Sequence, residues 1–341
     1  MNPARIVLLA LTVAFAASPA LAQSPADVKA RIAALKPKDF PSQPIELVVT
    51  TPAGGGMDVT ARIFAKYMEK YTDQRVIVTN RVGAGGFVGY TWLATQAPND
   101  GSVVGIIGTT ILGDSFLRAQ GKWTYKDVEP IALINYEPVT WIVSTEGQFK
   151  SASLADVLKT AKDKPSTIRV AIAATTILEM LAEQTENVAG LKLLKVPFQG
   201  GAPAITALLG QHIDISFGFF GEYRGHLEAN KVRVLAVASQ KRSPYLSDVP
   251  TFNEVLGVSN IEWISLRYVG LPKGVAADRK AYLLAVINAT LDEPALLEEY
   301  KRAGAITDRT RFDTSEKTTA EVERLAVAER EFYVKSGRLK P

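Results

Sequence analysis

Thr51-Pro52-Ala53-Gly54-Gly55-Gly56-Met57-Asp58 stands between an apolar, β-rich run, Ile45–Thr50, and an amphipathic segment, Val59–Tyr71. In that segment Ile63, Tyr67 and Tyr71 fall on one helical stripe, with Phe64 and Met68 beside it. A strand, a glycine turn and a helix therefore follow one another. The unit recurs: Val76–Thr79 reads as a strand, Asn80–Gly86 as a turn and Phe87–Gln96 as a helix. Pro98-Asn99-Asp100-Gly101 then turns into a third strand, Val103–Ile107. This β-α-β-α-β order predicts a parallel sheet covered on both faces.

Further along, Ile131–Leu133 and Trp141–Val143 read as extended and Ser153–Lys162 as a helix stopped by Pro165. Strands are expected at Ile168–Ala173, Leu193–Val196, Ile213–Phe217 and Val232–Ala238, separated by helices at Thr176–Val188, Ala202–Leu209 and Tyr223–Ala229. Extended segments follow at Ile261–Ser265 and Tyr268–Leu271, then helices at Ala277–Leu291, Pro294–Ala303 and Ser315–Tyr333. These strand-like runs are too many for one small sheet. Two α/β lobes are expected, with the chain crossing between them near Glu137–Trp141 and again near Gln240–Trp263.

The chain has 341 residues, 47% hydrophobic and 22% charged, with a net charge of +4 from 39 basic and 35 acidic groups. That balance excludes a disordered chain and a polytopic membrane protein, and it is too weak to imply a nucleic-acid partner. There is no cysteine, and His212 and His226 are the two histidines. Thiol chemistry, disulfides and cysteine-based metal sites are excluded. No metal or cofactor is expected. Arg5, the weakly polar to apolar run Ile6–Ala17 and Ala20-Leu21-Ala22 form a secretory signal pattern, with cleavage expected after Ala22. A soluble exported protein is expected.

Backbone N–H groups of a glycine loop at a helix N-terminus favour an anion. A tight βα turn with Asp58 as helix cap explains the same residues. The second loop, Asn80-Arg81-Val82-Gly83-Ala84-Gly85-Gly86, lacks the third glycine of a dinucleotide fingerprint, since Val88 stands there. Gly108-Thr109-Thr110 follows the third strand. All three turns are expected at the carboxyl edge of one sheet, where open α/β sheets bind ligands. No nucleophile elbow and no metalloprotease motif occurs, so an enzyme is disfavoured. Phe219 and Phe220, flanked by Gly218 and Gly221, either pack in the core or present a ring to a cleft.

Pro52–Asp58, Ala61-Arg62, Asn80–Gly86 and Pro98–Gly101, in that order, resemble the Bug/TctC family of solute-binding proteins of tripartite tricarboxylate transporters. Val196-Pro197-Phe198-Gln199-Gly200, Gly210-Gln211-His212-Ile213-Asp214 and Asp248-Val249-Pro250-Thr251 continue the resemblance. It implies two Rossmann-like lobes of the periplasmic binding protein type, closing on a ligand cleft by a flytrap motion. The lobes would comprise residues 41–140 with 264–341, and residues 141–263. It implies capture of an organic carboxylate, delivery to a permease with two integral membrane subunits, a monomeric protein and no catalysis. A sensory binding module and a secreted α/β enzyme are the alternatives. The family's first loop maps onto Ala53, Gly54, Gly55 and Gly56, with Asp58 following. The loop after the third strand maps onto Gly108, Thr109 and Thr110, and the second lobe's loop onto Ala173-Ala174-Thr175-Thr176. There the family's serines and glycines are mostly replaced, and the next polar loop becomes Gly218-Phe219-Phe220-Gly221. Arg267 stands where some relatives carry an arginine. These substitutions suggest a ligand with an aromatic or apolar body against Phe219 and Phe220.

Overall fold

A computed structural model describes residues 25–54, 56–173, 176–198, 200–303, 305, 307, 309 and 314–340. The signal peptide expected over residues 1–22 lies outside them. The described elements are, in chain order, α1 (Pro25–Leu35), β1 (Ile45–Val49), α2 (Gly56–Thr72), β2 (Val76–Asn80), α3 (Phe87–Thr95), β3 (Val103–Gly108), α4 (Thr110–Leu117), β4 (Val128–Pro138), β5 (Thr140–Ser144) and α5 (Leu154–Asp163). They continue as β6 (Arg169–Ile172), α6 (Ile177–Ala189), β7 (Leu194–Pro197), α7 (Gly201–Leu209), β8 (Ser216–Gly218), α8 (Phe220–Glu228) and β9 (Val232–Val237). The last are α9 (Phe252–Leu256), β10 (Ile264–Pro272), α10 (Ala277–Leu291), α11 (Pro294–Arg302) and α12 (Ser315–Lys335).

Five strands form one sheet in the order β2-β1-β3-β10-β4. β1 runs parallel to β2 and β3, while β10 is antiparallel to β3 and β4. The expected parallel unit is thus present, but a late strand inserts between its third and fourth members. The alternation of side chains across a strand divides the core. Leu47, Val49, Val104 and Ile106 pack with Phe64, Met68, Tyr282 and Leu283 on one face. Val48, Val103 and Ile107 pack with Tyr90, Leu93, Ile111 and Leu325 on the other. Helices cover both faces, as a buried parallel core requires.

The second lobe is less continuous. Its strands form a three-stranded sheet, β8-β5-β9, and a separate pair, β6-β7. A single isolated bridge, Val170 to Ile215, joins them among the described residues. Trp141, Val157, Leu181, Ile205, Phe217 and Phe252 fill its core. Helix α12 lies mainly against β4 and α4, yet its far end enters the second core through Phe332 and Tyr333. Phe332 meets Trp263 edge-on at 5.7 Å.

Several local expectations change in the fold. Ile131–Leu133 is the middle of an eleven-residue strand, because pairing with β10 extends it at both ends. Ile261–Ser265 and Tyr268–Leu271 collapse into the single strand β10. The turn Gly108-Thr109-Thr110 leads directly into a helix, α4, which its mixed apolar and glycine content did not announce. In α2 the buried stripe centres on Ala61, Phe64 and Met68, and Tyr67 and Tyr71 stand at its border. Their hydroxyls donate to Glu299 of α11 (2.7 Å) and to Glu293, which precedes it (2.9 Å).

Candidate functional site

The loops after β1, β2, β3 and β4 and the first half of β10 all meet at one edge of the five-stranded sheet. Parallel strands bring their carboxyl ends to the same side, and antiparallel β10 brings its amino end there. Arg267 pairs in register with Gly108 on one side and with Asn135 on the other.

The glycine loop is held from behind. Asp58 is 2% exposed, and its Oδ2 accepts from the Gly54 N–H and Arg62 Nε, each at 2.9 Å. Its Oδ1 accepts from Asn80 Nδ2 at 2.9 Å, and the same amide donates to the Thr51 carbonyl at 3.0 Å. Burial pushes the Asp58 carboxyl up, but the hydrogen bonds from Arg62, Gly54 and Asn80 outweigh it and hold the group below its usual range. Helix α2 begins at Gly56, so Asp58 sits in its first turn and is not its cap. Both its oxygens are engaged by the protein. Gly54 adopts φ +80°, a conformation costly for a residue with a side chain. Ala53, Gly54 and Gly56 are exposed. A Cβ on Gly56 would stand 3.3 Å from Arg267 Nη2. Gly55 lies outside the described residues, as do Ala174 and Thr175.

The loop after β3 is likewise internally bonded. The Gly108 N–H donates to the Tyr90 hydroxyl at 3.2 Å, and that hydroxyl is 2.9 Å from Thr110 Oγ1. Thr109 is buried, while Thr110 is exposed. Arg267, half-buried, forms an ion pair with Glu137 of β4 at 2.7 Å between Nη2 and Oε2. Burial pushes the Glu137 carboxyl up, opposed by the Arg267 charge. The arginine expected to grip a ligand is thus already matched by a carboxylate. Sequence reading singled out the crossing near Glu137 but not the residue. An ionisable group inside the apolar stretch Ile131–Trp141 was the available signal.

From the second lobe, α8 approaches the first. Arg224 Nη1 donates to the carbonyls of Lys301 (3.3 Å) and Arg302 (3.1 Å), at the end of α11. Phe220 is half-buried and engages its neighbours in the second lobe. It stacks on Tyr245 at 5.2 Å and meets Tyr223 edge-on at 6.0 Å. Phe219 is half-buried and packs against the second core. Its N–H donates to Glu222 Oε2 at 3.1 Å. Thr176 caps α6: its Oγ1 accepts from the Leu178 N–H and donates to the Ala173 carbonyl at 2.7 Å.

The family model described as the tripartite tricarboxylate transporter family receptor matches residues 60–315. The chain belongs to this family. Its members are periplasmic solute-binding proteins, not enzymes. A UPF0065 protein from the tcbD-tcbE intergenic region of Pseudomonas sp. (strain P51) is 32% identical over 267 residues, 78% of this chain and 79% of that protein. The periplasmic binding protein BugD is 28% identical, with a TM-score of 0.75 over 89% of this chain and 100% of BugD. MatC from Rhodopseudomonas palustris, solved with bound malate, shares the fold at 22% identity and a TM-score of 0.74, covering 86% and 99% of the two chains. The Bug resemblance read from the glycine loops is therefore correct, and so is the two-lobed periplasmic binding fold. No helix of the described residues is long and apolar enough to cross a membrane.

Proposed function

We propose that this chain captures a small organic carboxylate between its two lobes and delivers it to a tripartite permease with two integral membrane subunits. One observation carries the reading: an exposed glycine loop at a helix N-terminus lies against the half-buried guanidinium of Arg267, at the ligand edge of an open α/β sheet. Ala53, Gly54, Gly55 and Gly56 would take one carboxylate through backbone N–H groups. Gly108, Thr109 and Thr110 would close one side, and Ala174, Thr175, Thr176 and Phe219 the opposite lobe. Asp58 and Phe220 act behind this wall, one fixing the loop and the other fixing the start of α8. The lobes are taken as residues 41–140 with 264–341, and residues 141–263, the division that sheet membership favours. The protein works as a monomer exported by a leader cleaved after Ala22.

A thermal-shift screen of mono-, di- and tricarboxylates tests this, since a ligand that binds only the folded state raises the melting temperature. The best ligand should lose roughly tenfold or more in affinity with Gly56→Val, whose branched side chain displaces Arg267. Unchanged affinity would remove the loop from the site.

A further inference from the structure

Arg267 of β10 and Glu137 of β4 make a tight ion pair beside the glycine loop. Their side chains are 12% and 5% exposed, and Nη2 stands 2.7 Å from Oε2. The same nitrogen faces the loop: a Cβ on Gly56 would lie 3.3 Å from it. Gly56 is exposed and Glu137 is buried. Nη2 thus stands between the surface offered to an anion and a carboxylate already in place. Among the described residues, Arg267 is the basic side chain that pairs with Glu137, and no second one joins it. One guanidinium balances one buried carboxylate.

A ligand carboxylate on the loop upsets that balance. Two carboxylates then compete for Nη2, and one of them is cut off from water. A buried charge without its full counter-charge is costly, and a carboxyl group escapes the cost by taking a proton. Burial already pushes the Glu137 carboxyl up, and the Arg267 charge opposes that rise. The ligand draws on the opposing charge and adds a negative charge of its own, so both changes act in one direction.

We propose that carboxylate capture carries a proton with it: the ligand carboxylate engages Arg267 Nη2, and Glu137 Oε2 accepts a proton from solvent as that partner is drawn away. The inference rests on the carboxylate reading above and adds proton coupling to it. Other groups act on the pair from the elements packed around it. Glu222 of α8 carries a negative charge whose field meets those of Glu137 and Arg267. It is exposed, so water solvates it and the proton goes to buried Glu137 instead. The hydroxyls of Tyr223 on α8 and Tyr300 on α11 are pushed up by burial and stay neutral. By linkage, proton and ligand strengthen each other's binding by the same factor. Affinity is complete below the ligand-free value of Glu137 and falls as pH rises above it.

The test uses the full exported chain and whichever of butyrate, benzoate, succinate, malate, adipate and citrate raise its melting temperature. Calorimetry in HEPES and in Tris counts protons, because a proton drawn from the buffer adds that buffer's ionisation enthalpy to the heat. At about pH 8 the two buffers should report uptake of about one proton, and from about pH 6 to about pH 9 affinity should fall by up to roughly tenfold per pH unit. Glu137→Gln should erase both the buffer difference and the pH slope, and Glu222→Gln should keep both. Should Glu137→Gln fail to fold, difference infrared spectra replace it: wild type and Glu222→Gln should each gain a protonated carboxyl band on binding. Equal heats in the two buffers, uptake that survives Glu137→Gln, or uptake or a band lost in Glu222→Gln overturns the proposal and leaves the carboxylate reading standing. Binding of none of these acids overturns both.

Discussion

The two walls of the cleft are built on different principles. The first-lobe edge rises from a continuous five-stranded sheet, and its loops are tied to one another by buried polar groups: Asp58 to Gly54, Arg62 and Asn80, and Tyr90 to Gly108 and Thr110. The second-lobe edge rises from two short sheets, and its loops are fixed by caps and aromatic stacking, as at Thr176 and Phe220. Polar ties fix a loop in one arrangement because breaking any of them strands a buried donor or acceptor. Apolar contacts are non-directional and tolerate repacking. The first edge is suited to a constant grip, and the second to variation in what is gripped. Helix α12 joins the two, resting on β4 and reaching Trp263 and α6 at its end.

If the first edge is the rigid partner, Asp58→Ala should have the largest effect: about 2–3 kcal/mol of stability by denaturant unfolding, with ligand binding lost, because three donors lose their acceptor. The group titrates below its usual value of 3.8 in the folded state. Its stabilisation is therefore complete above about pH 5 and disappears as pH falls through the folded value. Asp58→Asn should flatten that acid limb.

The joint should behave in the opposite sense. Glu329 of α12 is 4% exposed, and burial pushes its carboxyl up to about 8, opposed by the Tyr333 hydroxyl at 3.2 Å and reinforced by Asp114. A raised value means stability present below the unfolded value of 4.5 and lost as pH climbs towards 8. Glu329→Gln should thus raise stability by about 2 kcal/mol at pH 7 and by little at pH 4. A gain at both pH values would place a different group in control.

On the second edge, Phe220→Ala should cost about 1–2 kcal/mol through loss of the Tyr245 stack and leave affinity within about threefold. A large affinity loss with full stability would return Phe220 to the ligand and break the contrast between the walls. The smallest effect is expected at Arg338, which pairs with Glu183 at 2.8 Å and Glu179 at 3.3 Å on α6. Arg338→Ala should lower stability by under about 1 kcal/mol. By loosening α12 from the second lobe it should enlarge the ligand-free radius of gyration in X-ray scattering. Identical profiles would show that this pair does not restrain opening.

Local pattern decided much of this protein. The order of strands, glycine turns and helices is written in short-range periodicity, so β1 to β3 and α10 were legible almost residue by residue. The glycine loops also carried the family, because their backbone conformation and exposure restrict which residues can stand there. Strand order was not legible. β10 inserts between β3 and β4 from far along the chain, and nothing local encodes that neighbour. Only that insertion brings Arg267 beside Gly56 and onto Glu137, and only the approach of α8 to α11 sets Arg224 on the carbonyls of Lys301 and Arg302. The sequence named the first wall's loop and the arginine, since each follows from residue type and local setting. Which charges pair and which aromatic rings stack depend on side chains meeting across strands and lobes, and tertiary structure alone decides those meetings.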